Sequence, residues 1–452
     1  MNAGSGFWCL VASIPLCAAI ESVSVRTPIR TPTTDALSFH PQGVQPSDTV
    51  VRLAAAPRHP GAATLVSELT IGDGATGPQY EFDGVTDILE ARDGSVWVLD
   101  VPSRGAPQLR QFSAAGKFIR SVGRQGQGPG EYRGPTGLGQ LPDGRVVLRD
   151  IRGNRVLVYS ASGEPVATWT LPGRYAWQVR GRDALVVDTA GTIYLPFSMP
   201  SPPGPRTDPN ERELAALLRM RSDGTIIDTI PDPELTDVSL PQLMITRVIP
   251  GGMSSYVFGV PYSPRPYWGW SPLGYVVTGL TNRYAIDLRV PRPGAPLNRW
   301  RAGDPVVSIR RDTPPVPVSG EEARDQQAYL EAQARGYEGT RTGSLPAVPR
   351  AKPHLQSLSF GADGRIWAGV SMPSERYDPP AAESSGDPSR PVLRWREPRA
   401  FDVFEPSGEY ISRVAVSYDT DLETMRGDTA WGVSRDADGV ETVRRFRIAW
   451  RR

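Results

Sequence analysis

Between Phe82 and Leu171 the apolar and polar positions run through one pattern twice. The first pass is GVTDILEARDGSVWVLDV (84–101) then QLRQFSAAGKFIRSVG (108–123); the second is GLGQLPDGRVVLRDI (137–151) then NRVLVYSASGEPVATWTL (154–171). In each, short runs of Val, Leu, Ile and aromatic residues alternate with polar ones at period two, as strands burying one face do. Asp93-Gly94 and Asp143-Gly144 separate the first two runs, and Gly116 and Gly163 separate the last two. Such pairs supply the positive backbone angles of two-residue hairpins, so each pass predicts four antiparallel strands. A unit of this kind recurring about every 50 residues predicts propeller blades.

The same pattern returns with interruptions. TAGTIYLPF (189–197) and LLRMRSDGTIIDTI (217–230), turning at Asp223-Gly224, predict a third blade. Residues 260–279, 283–290 and, outermost, LNRWRAG (297–303) predict a fourth, and 357–371 with 400–416 a fifth. The last, 428–450, turns at Asp438-Gly439 and lacks a fourth strand. Leu65–Ile71 alternates by itself ahead of the first blade and would complete it, closing the ring and leaving no open edge there. Ser319 with Glu322 forms a capping box ahead of EEARDQQAYLEAQAR (321–335), and Gly336 ends that helix. The expected fold is all-β, a six-bladed β-propeller closed by an N-terminal strand, with one inserted helix. Its interruptions fall at 198–213, 304–353 and 372–398.

Composition narrows the classes. With 50 basic against 49 acidic residues in 452, the net charge of +1 gives no field to attract nucleic acid. The bases are almost all Arg; the lysines are Lys117 and Lys352. Both cysteines, Cys9 and Cys17, precede residue 20, so the body has neither disulfide nor thiol nucleophile. Phe7 to Ile20 is an apolar run short for a bilayer, and Cys17-Ala18-Ala19 offers a cleavage point. Residues 1–20 are therefore expected to be an export signal, 21–62 a disordered Pro/Thr/Ser-rich linker, and 63–452 the propeller, placing the protein outside the cytoplasm.

The glycine-rich segment ending Gly130-Glu131-Tyr132, the spacing of Asp150, Asn154, Arg155 and Val156, and the aromatic-x-x-x-Gly hairpins resemble NHL-type six-bladed propellers. PYSPRPYWGWSP (261–272), the capped helix after VSIRRDTPPVPVS and the closing VETVRRFRI together resemble exported TolB-like propellers of bacteria. The resemblance spans about residues 65–450. It implies an exported protein, and a monomer is expected.

In a propeller the loops from an outer strand to the next inner strand, and from second to third strand, gather on one face around the channel, where ligands bind. That face receives Arg124, Glu131, Tyr132, Tyr262, Arg265, Tyr267, Trp268 and His354, the candidate ligand-binding residues, together with the helix and insertions. The clustered aromatics with Arg265 could stack on a sugar or flat ligand, or wedge blades together. No G-x-S-x-G, H-E-x-x-H or G-x-x-x-x-G-K occurs. NHL-type amidating lyases hold metal through several histidines, whereas this chain has His40, His59 and His354 alone. Related lactonases hold a divalent ion with carboxylates and an asparagine; Asp419, Asp421 and Glu423 could supply oxygens to a metal such as calcium, or simply lead into a strand. Asn154 is expected to brace its loop, and Ser434-x-Asp436-x-Asp438-Gly439, with Arg445 where a calcium loop needs Glu, to be a hairpin turn. The leading expectation is a cofactor-free module binding a peptide, glycan or protein; the alternative is a divalent-metal lactonase or hydrolase in the channel.

Overall fold

The computed structural model describes residues 10–13, 50–53, 56–72, 76–172, 184–199, 214–231, 241–249, 252–289, 305–335, 340–342, 344–379 and 391–451. Blade one is Val85–Glu90, Val96–Asp100, Gln108–Phe112 and Phe118–Val122, and blade two is Pro135–Gln140, Val146–Asp150, Arg155–Tyr159 and Pro165–Thr170. Each is a four-stranded antiparallel meander. The Asp-Gly turns hold a residue more than expected. Ala91 N–H donates to Ser95 O and Gly94 N–H to Ala91 O, while Asp93 Oδ1 accepts the Ser95 N–H. Only the glycine, at φ 81° (91° for Gly144), takes a positive angle, so these are three-residue loops whose bulge glycine completes a type I turn.

Blade three is Val186–Val187, Ile193–Met199, Leu214–Met220 and Ile226–Pro231; blade five is Leu355–Phe360, Ile366–Val370, Arg399–Phe404 and Tyr410–Val416. Blade four is Pro266–Trp270, Val276–Leu280, Ala285–Arg289 and Pro305–Arg310. The expected outermost strand at 297–303 lies outside the described residues, and the position belongs to Pro305–Arg310. Blade six begins earlier than the hydropathy pattern indicated, with Thr420–Arg426, followed by Thr429–Arg435 and Glu441–Ala449.

Ala62–Thr70 closes the ring, pairing antiparallel with Glu441–Ala449, while Ala62 to Thr64 also pair parallel with Arg413 to Ala415 of blade five. Six apolar clusters fill the six blade-to-blade interfaces. Trp97 and Leu148 mark that of blades one and two, Val158 and Leu195 two and three, Tyr194 and Trp270 three and four. Ile286 and Phe404 mark four and five, Trp367 and Phe446 five and six, and Phe112 and Trp431 six and one. Every blade thus buries both faces against neighbours, and the ring is shut.

The expected linker is partly fastened. Val50–Leu53 pairs parallel with Pro305–Arg310 on the outside of blade four. Arg58 pairs with Glu409 at 2.9 Å and Glu405 at 3.0 Å, and His59 stacks on Trp450 at 5.5 Å. Proline-rich composition argued for a free tether, but the short run Val50-Val51-Arg52-Leu53 finds an open strand edge on blade four to pair with. Leu10–Ser13, within the expected signal, pairs with Gly252–Gly259 in the full chain.

Candidate functional site

Two inserted parts stand on the face that the sequence singled out. Between blades three and four, Gln242–Ile249 and Gly252–Gly259 form a hairpin extended by Thr340–Thr342; between blades four and five lies helix α1, Gly320–Arg335. Hairpin and helix share a core of their own, Leu243, Ile245, Phe258, Val260, Leu330 and Val348, and make a cap. Inside blade five, Glu375–Arg376 and Trp395–Arg396 pair as a two-stranded arm.

The buried stripe of α1 is Glu322, Gln326, Leu330 and Gln333, at helical spacing and mostly polar. Burying such a stripe costs free energy wherever its polar groups lack partners. Ser319 Oγ accepts the Glu322 N–H at 3.1 Å, the first half of the capping box. The second half is absent, because the Glu322 carboxylate turns inward. Its Oε1 accepts the Tyr262 hydroxyl at 2.6 Å and the Ser374 hydroxyl, and lies 3.5 Å from Lys352 Nζ. Lys352, fully buried, donates to Met372 O at 2.9 Å, Ser374 Oγ at 2.5 Å and Glu397 Oε2 at 3.0 Å. Glu397 Oε1 accepts Gln356 Nε2 and the Met372 N–H. One knot therefore joins cap, arm and inner strand of blade five. Burial pushes the Glu397 carboxyl up, opposed by the Met372 N–H and Lys352, and burial with Glu322 pushes the Tyr262 hydroxyl up. Ser374 beside Lys352 resembles a serine–lysine nucleophile pair, but the ammonium is taken up by Met372 O and Glu397, and the serine hydroxyl is spent on Glu322.

The outer side of the arm is different. The exposed Arg396 guanidinium lies 4.0 Å from the ring centre of Tyr418 and 5.2 Å from that of Tyr377. Trp395 Nε1 donates to Asp325 of α1 at 2.8 Å, and the Tyr418 hydroxyl donates to Glu375 at 3.0 Å. Burial and Glu375 push that hydroxyl up to about 12. Cap, arm and the turn into blade six thus hold one cation and three aromatic rings in place.

The predicted residues scatter. Arg124 pairs with Glu131 at 2.7 Å, and Glu131 accepts the Gly128 N–H at 2.9 Å, so the two brace their own loop. Those contacts hold the Glu131 carboxyl below its usual range. Tyr132 is a correction: it is 1 % exposed between blades one and two, its hydroxyl held by Leu109 N–H and Val122 O, and it cannot meet a ligand. Tyr267 packs toward blade five with its hydroxyl on Ala285 O; the Trp268 side chain lies outside the described residues. Tyr262 belongs to the knot. Arg265 is exposed, and His354, half-buried, accepts the Ser371 N–H on its carbonyl. Asn154, at φ 52°, donates to Leu171 O at 2.8 Å and braces its loop as expected. Asp436 Oδ1 accepts the N–H groups of Asp438 and Val440, closing a hairpin turn.

The carboxylates at 419–423 do not converge. Asp421 is paired with Arg399 and, at 2.5 Å, with Arg435, while Asp419 is exposed and Glu423 sits at a bulge in the inner strand of blade six. Among the described residues no three His, Cys, Asp or Glu come together to hold a metal. A groove of about 800 Å³ lies elsewhere, between the closing strand and the outer hairpin of blade one, lined by Glu68, Tyr80 and Lys117 among others, and meets none of these groups. No helix of the described residues is long and apolar enough to cross a membrane.

Comparison with known proteins agrees with the ring. A family model described as a six-bladed β-propeller, DUF5128, matches residues 81–182, which contain blades one and two. The chain is a six-bladed β-propeller. No curated protein matches it. Among solved structures it is similar to a protein of Bacteroides fragilis described as exported, at 10% identity and TM-score 0.44 over 88% of this chain and 98% of that one. It is similar also to a member of the DUF4221 family from Bacteroides vulgatus, at 10% identity and TM-score 0.46 over 86% and 99%. A third is the calcium-binding protein regucalcin from Agrobacterium tumefaciens, at 11% identity and TM-score 0.37 over 86% and 98%. Likeness at that level carries nothing about ligands.

Proposed function

We propose that this protein is an extracytoplasmic binding propeller that takes a peptide, glycan or protein on its insertion-bearing face. The observation carrying this reading is the exposed Arg396 held between Tyr377 and Tyr418 beside Trp395. Ordered aromatic rings and a guanidinium whose conformational freedom is already spent are what a binding surface needs. The groups that could carry chemistry are committed elsewhere: Lys352 and Ser374 to a buried knot, Asp421 to two arginines. The divalent-metal hydrolase reading has no observation of its own among the described residues. Purified protein incubated with a panel of lactones and esters, with calcium and with chelator, tests the reading. No turnover above buffer is expected, and metal-dependent turnover would sink it.

A further inference from the structure

We infer that Lys352 is a built-in cation, its ammonium filling an oxygen cage of the kind a hard divalent ion takes. The cage comprises one backbone carbonyl (Met372), one hydroxyl (Ser374) and two carboxylates (Glu397 and Glu322), at 2.9, 2.5, 3.0 and 3.5 Å from Nζ. Carboxylate, carbonyl and hydroxyl oxygens converging from separate segments are the donor set calcium selects. Here the positive charge is covalent, on a side chain of no solvent exposure.

Three further features fit a cage rather than an ordinary ion pair. The chain has 50 basic residues yet spends one of two lysines here, where a compact ammonium has three donors and all three find oxygens. The two carboxylates exceed the single ammonium by one negative charge, as a divalent ion would require. At the same node Gln326 donates to the Tyr262 hydroxyl at 3.3 Å, while its own Oε1 is buried without a partner, leaving an acceptor beside the cluster. The cap and arm are therefore fastened to blade five by a cation that never has to be supplied, and the face stays assembled whatever the metal concentration around it.

The prediction is that removing the ammonium turns the cage into a divalent-cation site. Full-length Lys352→Ala should melt several degrees below wild type in chelator and regain at least half of the loss as calcium is raised, whereas wild type should not respond. Lys352→Ala combined with Glu397→Gln should lose the rescue. No rescue in Lys352→Ala, an equal calcium response in wild type, or rescue surviving in the double variant would each overturn the inference. A second measurement does not depend on that variant folding. With two lysines in the chain, amine labelling read by mass spectrometry should modify Lys117 readily in native wild type and leave Lys352 protected. Glu397→Gln should speed labelling of Lys352 at least tenfold. Lys352 labelling at the rate of Lys117 in wild type, or no acceleration in Glu397→Gln, would contradict the cage.

Discussion

Ring closure by the N-terminal strand can be tested at Ile71. Its side chain is 1 % exposed among Phe82, Phe112, Trp431 and Val443, and its N–H donates to Val443 O at 2.8 Å. Ile71→Ala keeps that hydrogen bond and removes three carbons at the seam between blades six and one. The lost transfer energy and the cavity together should cost roughly 2–5 kcal/mol. With a urea dependence of about 3 kcal/mol/M, a cost near the middle of that range lowers the unfolding midpoint by about 1 M. Ile119→Ala is the control: Ile119 is 42 % exposed on the outer strand of blade one and should change stability by no more than about 0.5 kcal/mol. Equilibrium urea unfolding followed by tryptophan fluorescence reads both, and amide exchange over Glu441–Ala449 reads the seam locally. An Ile71→Ala effect no larger than that of Ile119→Ala, with unchanged protection in 441–449, would refute closure by this strand.

Asp402, fully buried, accepts the hydroxyls of Tyr284 and Tyr410 and the guanidinium groups of Arg311 and Arg413, so Asp402→Ala should destabilise by about 3–5 kcal/mol in thermal melts, and an effect under about 1 kcal/mol would show that this hub does not hold blades four and five. Gly144 has φ 91° and open space where a Cβ would go, so Gly144→Ala should cost about 1–2 kcal/mol by backbone strain alone; a neutral result by urea unfolding would contradict the turn geometry. Burial raises the Glu397 carboxyl, so the folded state holds its proton more tightly than the unfolded chain, and the contribution is complete below the ordinary glutamate range and lost as pH rises through the raised value. Melting temperatures of wild type should accordingly gain on those of Glu397→Gln as pH falls from neutral, and a difference constant with pH would contradict this.

The fold was legible where its determinants are local. Asp93-Gly94, Asp143-Gly144 and the alternating runs beside them mark strands within a dozen residues, and the lone strand near Leu65 could be matched to an incomplete last blade. What was not legible depends on partners far apart in the chain. Pro305–Arg310 lies beyond a long connection from Ala285–Arg289, so it reads as the approach to α1 rather than as an outer strand. Val50–Leu53 is a four-residue run, Val-Val-Arg-Leu, too short to stand out from the linker text around it without its distant partner strand. The knot unites Tyr262, Glu322, Lys352 and Glu397 across more than a hundred residues, and its one signal was a lone lysine among arginines near a capped helix. Among the aromatics judged able to wedge blades, Trp270 does so, stacked 4.0 Å from Tyr194, while the rings that hold the exposed Arg396 are the half-buried Tyr377 and Tyr418, in and beside the interruption at 372–398.

The central claim is that cap and arm build a binding surface on one face of the ring, and paired arrays test it most directly. Labelled wild-type protein and the Arg396→Ala/Tyr418→Ala variant are applied to the same glycan and peptide arrays, with melting temperatures measured alongside. The account predicts that wild type retains a discrete set of probes and that the variant, melting within a few degrees of it, binds those probes at least tenfold more weakly. Equal binding by the folded variant, or no probe retained by wild type, would contradict it.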